Sequence, residues 1–147
     1  MIRSYSPEDR KTLIEIFKLN TPQYFDPKEV TDFEEYLDEN SDTYLTIEDQ
    51  NSIVGGTGYQ ITGNNTIGRI TWIFFHPNQA GQGLGKQSVE HCLSILNANK
   101  NLEKLIVTTS QLAYKFFGKF GFKLISTEKD YWGKGLDLYL MEIKLKL

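Results

Sequence analysis

A strand-like apolar run joins a helix-like segment through a glycine-rich turn, and this junction constrains the fold more than any other part of the sequence. The run covers residues 70–75, the helical pattern begins at Leu84, and Gly81, Gly83 and Gly85 fall where the two meet. A strand that turns and opens a helix leaves backbone N–H groups directed outward at the positive end of the helix dipole. Because glycine has no Cβ, a bulky anion can approach those amides. The junction therefore predicts an anion-binding turn, most often one for phosphate.

Two common phosphate-binding patterns do not fit this turn. The dinucleotide pattern G-x-G-x-x-G, started at Gly81, requires its third glycine where the chain has Lys86. The P-loop pattern G-x-x-x-x-G-K-S/T requires a glycine at Ala80 and a serine or threonine at Gln87. An ordinary glycine-rich turn remains the simple alternative.

Two segments resemble the hallmark motifs of the GNAT superfamily of N-acetyltransferases. The turn is similar to the acyl-CoA pyrophosphate loop, roughly R/Q-x-x-G-x-G/A, through Gly83 and Gly85. Its first position is Ala80, which departs from the pattern, and Gln79 stands beside it. Residues 110–122 are similar to the second motif, N-x-x-A-x-x-F/L-Y-x-x-x-G-F. The matching positions there are Ala113, Phe116, Gly121 and Phe122. The two motifs follow each other in the order that the superfamily has.

Composition and charge argue against several classes of protein. The 147 residues contain no Pro/Ser/Gly-rich linker, so a single domain spanning residues 1–147 is expected. The net charge is −3 and the basic residues do not cluster, so no nucleic-acid partner is expected. The start of the chain lacks a signal peptide, and the longest apolar run is too short to span a bilayer, which favours a cytoplasmic protein with no membrane partner. Cys92 is the only cysteine and is expected to pack in the core, while the separated His76 and His91 predict no metal site.

Hydrophobic periodicity predicts elements in the order β-α-α-β-β-β-α-β-α-β-β. Ser6 and Asp26, each followed by proline, are expected to begin the first two helices. The strands are expected at residues 2–5, 43–47, 53–61, 67–75, 105–108, 122–126 and 136–145, and the later helices at 84–99 and 111–120. The three strands between 43 and 75 predict an antiparallel meander. This mixed α/β (α+β) order resembles the GNAT fold, which implies a mostly antiparallel central sheet with a splayed strand pair and flanking helices.

The resemblance implies acetyl-CoA as a cosubstrate in the cleft between the splayed strands. Carried over, the pantetheine arm pairs with backbone groups of Ile73, Phe74 and Phe75. Ser110 replaces the asparagine that commonly holds the pantetheine amide, and Phe117 belongs to the same implied site. The positions for the pyrophosphate are Ala80, Gly81, Gln82, Gly83, Leu84, Gly85 and Lys86. The last of these either adds a charge-assisted contact or is a solvated lysine.

The implied reaction is direct attack of an amine on the thioester. A lysine-type amine, with a pKa of about 10.4, must lose a proton before it attacks. The resemblance implies that a backbone N–H of Phe74 or Phe75 donates to the oxyanion. Phe117 stands where the superfamily has its acidic tyrosine. Tyr114, one helical turn earlier, is the candidate replacement for that acid, or else a packed or surface ring.

No general base stands out in the sequence. Many superfamily members carry a glutamate on the strand before the turn, but residues 67–75 contain no carboxylate. The candidates elsewhere are Glu34, Glu35, Asp130 and Asp137, with Tyr131 or Tyr139 as groups that order a water, and surface charge or packing is the alternative for each. The rings available for an acceptor pocket are Tyr24, Phe25, Tyr59, Trp72, Phe74, Tyr131, Trp132 and Tyr139. Residues 128–135, rich in aromatics and glycine, are expected to form a mobile flap over the acceptor.

These observations favour an N-acetyltransferase that acts on a small-molecule amine or on a peptide or protein amine. A second hypothesis is an acyl-CoA-binding sensor or regulatory domain with little transferase activity, motivated by Phe117 and the missing strand carboxylate. A third is a phosphate- or nucleotide-binding domain unrelated to CoA. The chain is expected to be a monomer or a homodimer, and the alternating strand at 136–147 is the candidate exposed edge for dimerisation.

Overall fold

The computed structural model describes residues 1–79 and 81–146, and its elements follow the predicted order. The strands are β1 (Ile2–Ser4), β2 (Tyr44–Asp49), β3 (Ser52–Thr62), β4 (Ile67–Phe75), β5 (Lys104–Thr109), β6 (Lys123–Gly133) and β7 (Leu136–Lys144). The helices are α1 (Arg10–Leu19), α2 (Glu29–Asn40), α3 (Leu84–Asn97) and α4 (Tyr114–Gly118). Short 3-10 turns occur at Pro7–Asp9, Ser41–Thr43 and Pro77–Gln79. No helix within the described ranges is both long and apolar enough to cross a membrane.

The described strands form one seven-stranded sheet in the order β1-β2-β3-β4-β5-β7-β6. All neighbours in it are antiparallel except β4 and β5, which are parallel. A parallel pair requires a crossover connection because a tight hairpin cannot join strands that run the same way. The glycine turn and α3 are that crossover. The predicted meander is β2-β3-β4, and the expected mixed, mostly antiparallel fold is confirmed.

On one face of the sheet, α1 and α2 cover the strands with a cluster of aromatic side chains. Leu13 and Phe17 of α1 and Phe33 of α2 are fully buried, as the helical spacing of these residues predicts. Phe17 lies with its ring centroid 5.0 Å from that of Phe33 and 5.3 Å from that of Phe74 in β4. This cluster fixes the position of α2 relative to β4.

On the other face, α3 and α4 pack against the centre of the sheet. Val89, Cys92 and Leu96 of α3 are fully buried in a cluster that includes Leu105 and Val107 of β5. Burial raises the pKa of the Cys92 thiol to about 11. The prediction that Cys92 is a packed core thiol is therefore confirmed.

The strands β4 and β5 separate part of the way along their length. They pair only through Ile67–Lys104, Gly68–Leu105 and Arg69–Ile106. β4 then continues to Phe75, while β5 stays paired with β7 as far as Thr109. The splayed strand pair expected from the resemblance is thus present, with its cleft beyond Arg69.

The predicted edge strand at the C-terminal end lies inside the sheet. β7 pairs with β5 through Val107–Met141 and with β6 through Leu124–Met141, so neither of its sides is free. The expectation that residues 136–147 form an exposed edge was therefore wrong over residues 136–144. The outer strand is β6, in which Ile125 is 52% exposed.

The expected flap at residues 128–135 is also largely strand. Residues 128–133 belong to β6, and hydrogen bonds tie its end to β7: Asp130 N donates to Asp137 Oδ1 at 2.9 Å, and Gly135 N donates to Asp130 Oδ1 at 2.8 Å. Turn-forming residues predicted a loop here. The β6–β7 register shifts between Glu128 and Gly133, which shows that these residues form a β-bulge within the strand.

The fourth helix is shorter than the periodicity indicated. α4 covers Tyr114–Gly118 rather than residues 111–120. Residues 111–113 form a turn in which Ala113 N and Tyr114 N both donate to the carbonyl of Ser110, at 3.1 and 3.0 Å. Ser110, the residue after the end of β5, thus begins the turn.

Candidate active site

A cavity of about 540 Å³ occupies the cleft between the separated strands. Residues 70–74 of β4 form one wall and residues 107–110, at the end of β5, form the other. Side chains of α2, α4 and the end of β6 complete it, among them Glu29, Tyr36, Phe117 and Trp132. The cavity therefore reaches from the α3–α4 face of the sheet to the α1–α2 face.

A bulge in β4 shapes this cavity. Trp72 has φ of 43°, and the register between β3 and β4 shifts opposite it, between Gly56 and Gly58. Positive φ at a tryptophan is strained and persists only when surrounding contacts hold it. The Trp72 carbonyl accepts a hydrogen bond from Tyr44 Oη at 2.8 Å, and its ring lies 5.5 Å from that of Phe33. The bulge turns Trp72 towards α2 and into the cavity wall.

Alternation along β4 separates the two predicted oxyanion donors. His76 N donates to Val54 O at 2.7 Å, so this pair is a hydrogen-bonded one. Hydrogen-bonded and non-bonded pairs alternate in an antiparallel ladder, so residues two apart on a strand direct their N–H groups to the same side. The N–H of Phe74 therefore points to β3, like that of His76. The N–H of Phe75 then points away from β3, towards the side that β5 has left. The Phe75 carbonyl on that side accepts from Asn20 Nδ2 at 3.0 Å. This geometry favours Phe75 over Phe74.

The glycine turn lines a second cavity of about 470 Å³ at the α3 end of the cleft. Gly81 and Gly83 have φ of 83° and 77°, and a Cβ built on either would meet no atom within 4 Å. These two glycines allow the positive φ values of the turn, and they leave the space beside its backbone open. Gly85 has a different role, since a Cβ there would lie 3.2 Å from Cζ of Phe116. A Cβ at this position would crowd the Phe116 ring, so glycine favours close packing of α3 on α4.

The predicted pyrophosphate positions mostly converge on this second cavity. The structure places Gly81, Gly83, Leu84, Gly85 and Lys86 in its wall. Gln82 is exposed and outside the wall, and Ala80 lies outside the described residues. Phe75 belongs to the same wall, so the turn and the end of β4 meet there.

The second motif contributes Ser110 and Phe117 to the first cavity but not Tyr114. Ser110 is 8% exposed, and its Oγ accepts from Leu112 N at 3.2 Å. Phe117 is 2% exposed and presents a ring without a hydroxyl. Tyr114 packs against Tyr139 with ring centroids 4.8 Å apart, and neither ring lines either cavity. The assignment of Tyr114 as an acid stays a prediction.

Five of the eight predicted rings line the first cavity. They are Tyr24, Phe25, Trp72, Phe74 and Trp132. Tyr59, Tyr131 and Tyr139 are not in its wall. Trp132 Nε1 donates to Thr109 O at 3.0 Å, which holds the end of β6 over the cleft. Gly133 follows and packs against Asp26, since a Cβ on it would overlap that carboxylate.

The carboxylate in the cavity wall is one that the sequence analysis did not select. Glu34, Glu35, Asp130 and Asp137 are all absent from the wall. Glu29, at the start of α2, is in it and is 5% exposed. Burial raises the pKa of Glu29 to about 7, although the hydrogen bond from Asp26 N offsets part of that rise.

A local signal for Glu29 exists in the sequence. Asp26-Pro27-Lys28-Glu29 has the spacing of a capping box, and the structure forms the hydrogen bond that its acidic residue makes back to the first residue. Glu29 Oε2 accepts from Asp26 N at 2.8 Å, and Asp26 Oδ2 accepts from Lys28 N at 3.0 Å. The hydrogen bond from Asp26 N fixes the direction of the Glu29 side chain, but the cavity wall that Glu29 joins also contains residues of β4 and β6, which are distant in sequence.

Comparison with known proteins agrees with this geometry. The model of the Acetyltransferase (GNAT) family matches residues 11–122. A search of curated proteins found no match. Among solved structures, an N-acetyltransferase from Staphylococcus aureus is 20% identical, with a TM-score of 0.77 over 99% of this chain and 98% of that one. A ribosomal-protein-alanine N-acetyltransferase from Brucella melitensis is 17% identical, with a TM-score of 0.74 over 99% of each chain.

A third similar structure was determined with its cofactor. An aminoglycoside 6'-N-acetyltransferase complexed with coenzyme A is 12% identical, with a TM-score of 0.78 over 98% of this chain and 96% of that one. At these identities the structural likeness concerns the fold, whereas the family model covers most of the sequence. The splayed strands, the glycine turn and this match lead to one conclusion: the chain belongs to the GNAT acetyltransferase family.

Proposed function

We propose that this protein transfers the acetyl group of acetyl-CoA to a primary amine by direct attack on the thioester. The observation that carries the proposal is the continuous arrangement of the two cavities. One lies at the glycine turn and the other in the β4–β5 cleft, and Asn20 and Tyr24 line both of them. A long cofactor with an anionic end and a reactive end fits such a path.

In this arrangement the pyrophosphate binds at the turn and the pantetheine arm lies along β4. The amides at Gly81, Gly83 and Leu84 approach the phosphates without steric hindrance, and Lys86 adds a cation at the cavity wall. The pantetheine arm pairs with the free backbone edge of β4 at Ile73 and Phe75. Ser110 takes the place of an amide side chain on the opposite wall.

The thioester then lies near the bulge in β4, where the amine meets it. A backbone N–H on this free edge of β4 donates to the carbonyl oxygen as it becomes an oxyanion. When the C–S bond breaks, the thiolate takes a proton from water, because Phe117 offers no hydroxyl. A thiol pKa of about 8.5 makes thiolate a tolerable leaving group.

The acceptor enters from the α1–α2 side, where the aromatic rings are. Trp72, Tyr24 and Trp132 provide faces that attract a cation, and Glu29 provides negative charge. Names of the similar structures include an aminoglycoside and a ribosomal-protein alanine as acceptors of those proteins. A small-molecule amine and a peptide amine are both compatible with this side of the cavity.

Release of CoA, followed with a thiol reagent, tests the proposal. Acetyl-CoA is supplied with polyamines, amino acids, aminoglycosides and short peptides, each against a reaction lacking the amine. We expect release that depends on one class of amine. If acetyl-CoA raises the melting temperature but no amine produces release, the observation favours the second candidate, an acyl-CoA sensor, for which Phe117 is the structural argument. A melting-temperature response to ATP but not to CoA would contradict both.

A further inference from the structure

Two buried carboxylates each accept a hydrogen bond from the backbone N–H three residues earlier, and their surroundings differ. The donor to Asp9 is Ser6 N, and the donor to Glu29 is Asp26 N. Each is 5% exposed. Capping alone therefore does not explain what distinguishes Glu29.

Asp9 is fully engaged within the protein. Arg3 donates to both of its oxygens, at 2.8 and 2.9 Å, and Ser6 N and Thr46 Oγ1 add further hydrogen bonds, each of 2.9 Å. These contacts, the Arg3 hydrogen bonds first among them, hold the pKa of Asp9 below its ordinary value. Such a carboxylate has no capacity left for a ligand.

Glu29 has only the capping hydrogen bond from Asp26 N to Oε2. Across residues 1–79 and 81–146, no side chain donates to Oε1 and no basic group forms an ion pair with Glu29. A buried carboxylate normally needs such partners, since unpaired buried charge is costly. Glu29 instead lines the 540 Å³ cavity that also holds Ile73 and Phe117.

We propose that Glu29 is the catalytic base that binds the acceptor ammonium and accepts its proton before attack on the thioester. The inference rests on the proposed function and names the residue that its chemistry lacks. Oε1 is the free acceptor atom, and Oε2 stays in the capping hydrogen bond during the reaction.

The ammonium gives one proton to the Glu29 carboxylate, and the neutral amine forms a C–N bond to the acetyl carbon. Collapse of the oxyanion breaks the C–S bond, and the second nitrogen proton passes through water to the thiolate. Glu29 then releases its proton to solvent. The products are the acetamide, the free thiol of CoA and one proton.

The charged groups around Glu29 determine when it can act. Burial has the largest effect and opposes its ionisation, and the hydrogen bond from Asp26 N favours it. The negative charges of Asp26 and Asp32 oppose ionisation, and the positive charge of Lys28 favours it. Across the cavity the wall contains Arg69 and Tyr36. The resulting pKa of Glu29, about 7, is closer to the amine pKa of about 10.4 than the pKa of an ordinary carboxylate is, which makes Glu29 a stronger base. Above neutral pH, Glu29 is still mostly ionised and can accept a proton.

Substitution Glu29→Gln tests the proposal with little structural change, because glutamine keeps the capping acceptor but accepts no proton. With the best amine of the panel, we expect kcat/KM at pH 8 to fall by about 10²- to 10⁴-fold. The wild-type profile rises with pH through about 7, and this limb should be absent from the variant. Glu39→Gln, an exposed position on the same helix, is the matched control and should retain both the rate and the limb.

A second measurement needs no variant. An analogue of the amine whose electron-withdrawing group lowers its pKa below 6 arrives already deprotonated, so the wild-type limb near 7 should disappear with that analogue. Persistence of the limb with both amines, or an unchanged profile in Glu29→Gln, would overturn the role of Glu29 alone. Absence of amine-dependent release by the wild-type protein would instead overturn the proposed function, and this inference with it.

Discussion

Glu29 and Asp9 show that one local motif gives opposite chemistry when its surroundings differ. Both are acids that accept a hydrogen bond from the backbone N–H three residues earlier. Arg3 stabilises the ionised form of Asp9. Glu29 forms no ion pair among the described residues, so burial favours its protonated form.

The stability of the protein should report the state of Glu29 independently of activity. A carboxyl with a pKa of about 7 in the folded state and 4.5 as its reference value loses protons more readily when unfolded. Its ionisation therefore destabilises the fold progressively as pH rises from 4.5 to 7, and the full effect persists above that range. Glu29→Gln removes the penalty, so we expect it to raise the free energy of unfolding by about 1–3 kcal/mol at pH 8.

Thermal unfolding of the two proteins at pH 4 and pH 8 measures this effect. The variant should melt several degrees above the wild type at pH 8 and close to it at pH 4. An equal difference at both pH values would show that Glu29 does not titrate in this range.

Phe117 provides a second prediction at the scale of one residue. It lines the cleft where the superfamily has an acidic tyrosine, and thiolate leaves without an acid at moderate cost. We expect Phe117→Tyr to change kcat by less than about tenfold, well short of the 10²- to 10⁴-fold effect of a missing general acid. A gain of that larger size would show that an essential acid had been lost, and steady-state rates with saturating acetyl-CoA decide between the two.

At the scale of elements, the crossover through α3 depends on a few glycines with separate roles. Gly83 stands before α3 with φ of 77°, in a conformation that other residues adopt at a cost of about 1–2 kcal/mol. Its missing Cβ faces open space beside the cavity at the turn. A methyl group at Gly83 would extend into the space where we propose that the phosphates bind.

Gly83→Ala should therefore weaken the binding of acetyl-CoA by at least about tenfold, or about 1.4 kcal/mol. Titration calorimetry with CoA gives the dissociation constant directly. Gly118→Ala is the control, because a Cβ at Gly118 meets nothing within 4 Å and the residue is helical. That variant should bind CoA within about twofold of the wild type. Equal affinity in both variants would contradict phosphate binding at the turn.

Sequence patterns predicted the elements better than their arrangement. The apolar run of β4, the glycine turn and α3 are local features, and each formed where periodicity indicated. β6 was truncated in the prediction because Asp130 and Gly133 are typical turn residues, although a bulge accommodates them. The position of β7 between β5 and β6 arises from pairing between distant segments, which no local pattern encodes. Glu29 was missed for the same reason, since the cavity wall that it joins also contains residues of β4 and β6.

At the scale of the molecule, one break in sheet pairing organises the whole site. β4 and β5 form the parallel pair of the sheet and separate beyond Arg69 and Ile106. α1 and α2 cover the cleft on one face, where Glu29 and the aromatic rings lie, and α3 and α4 cover the other, where the glycine turn lies. The fold thus brings an anion-binding end and an amine-binding end to one path through the sheet.

The most direct test of this account is to follow a labelled acetyl group from acetyl-CoA. Carbon-13 acetyl-CoA is incubated with the protein and the best amine, and the label and the free thiol are measured together. If the protein transfers acetyl from acetyl-CoA to the amine, labelled acetamide and free CoA form in equal amounts, and neither forms when the amine is omitted. Thiol release accompanied by labelled acetate instead of acetamide, or no release at all while acetyl-CoA binds, would contradict acetyl transfer in this cleft.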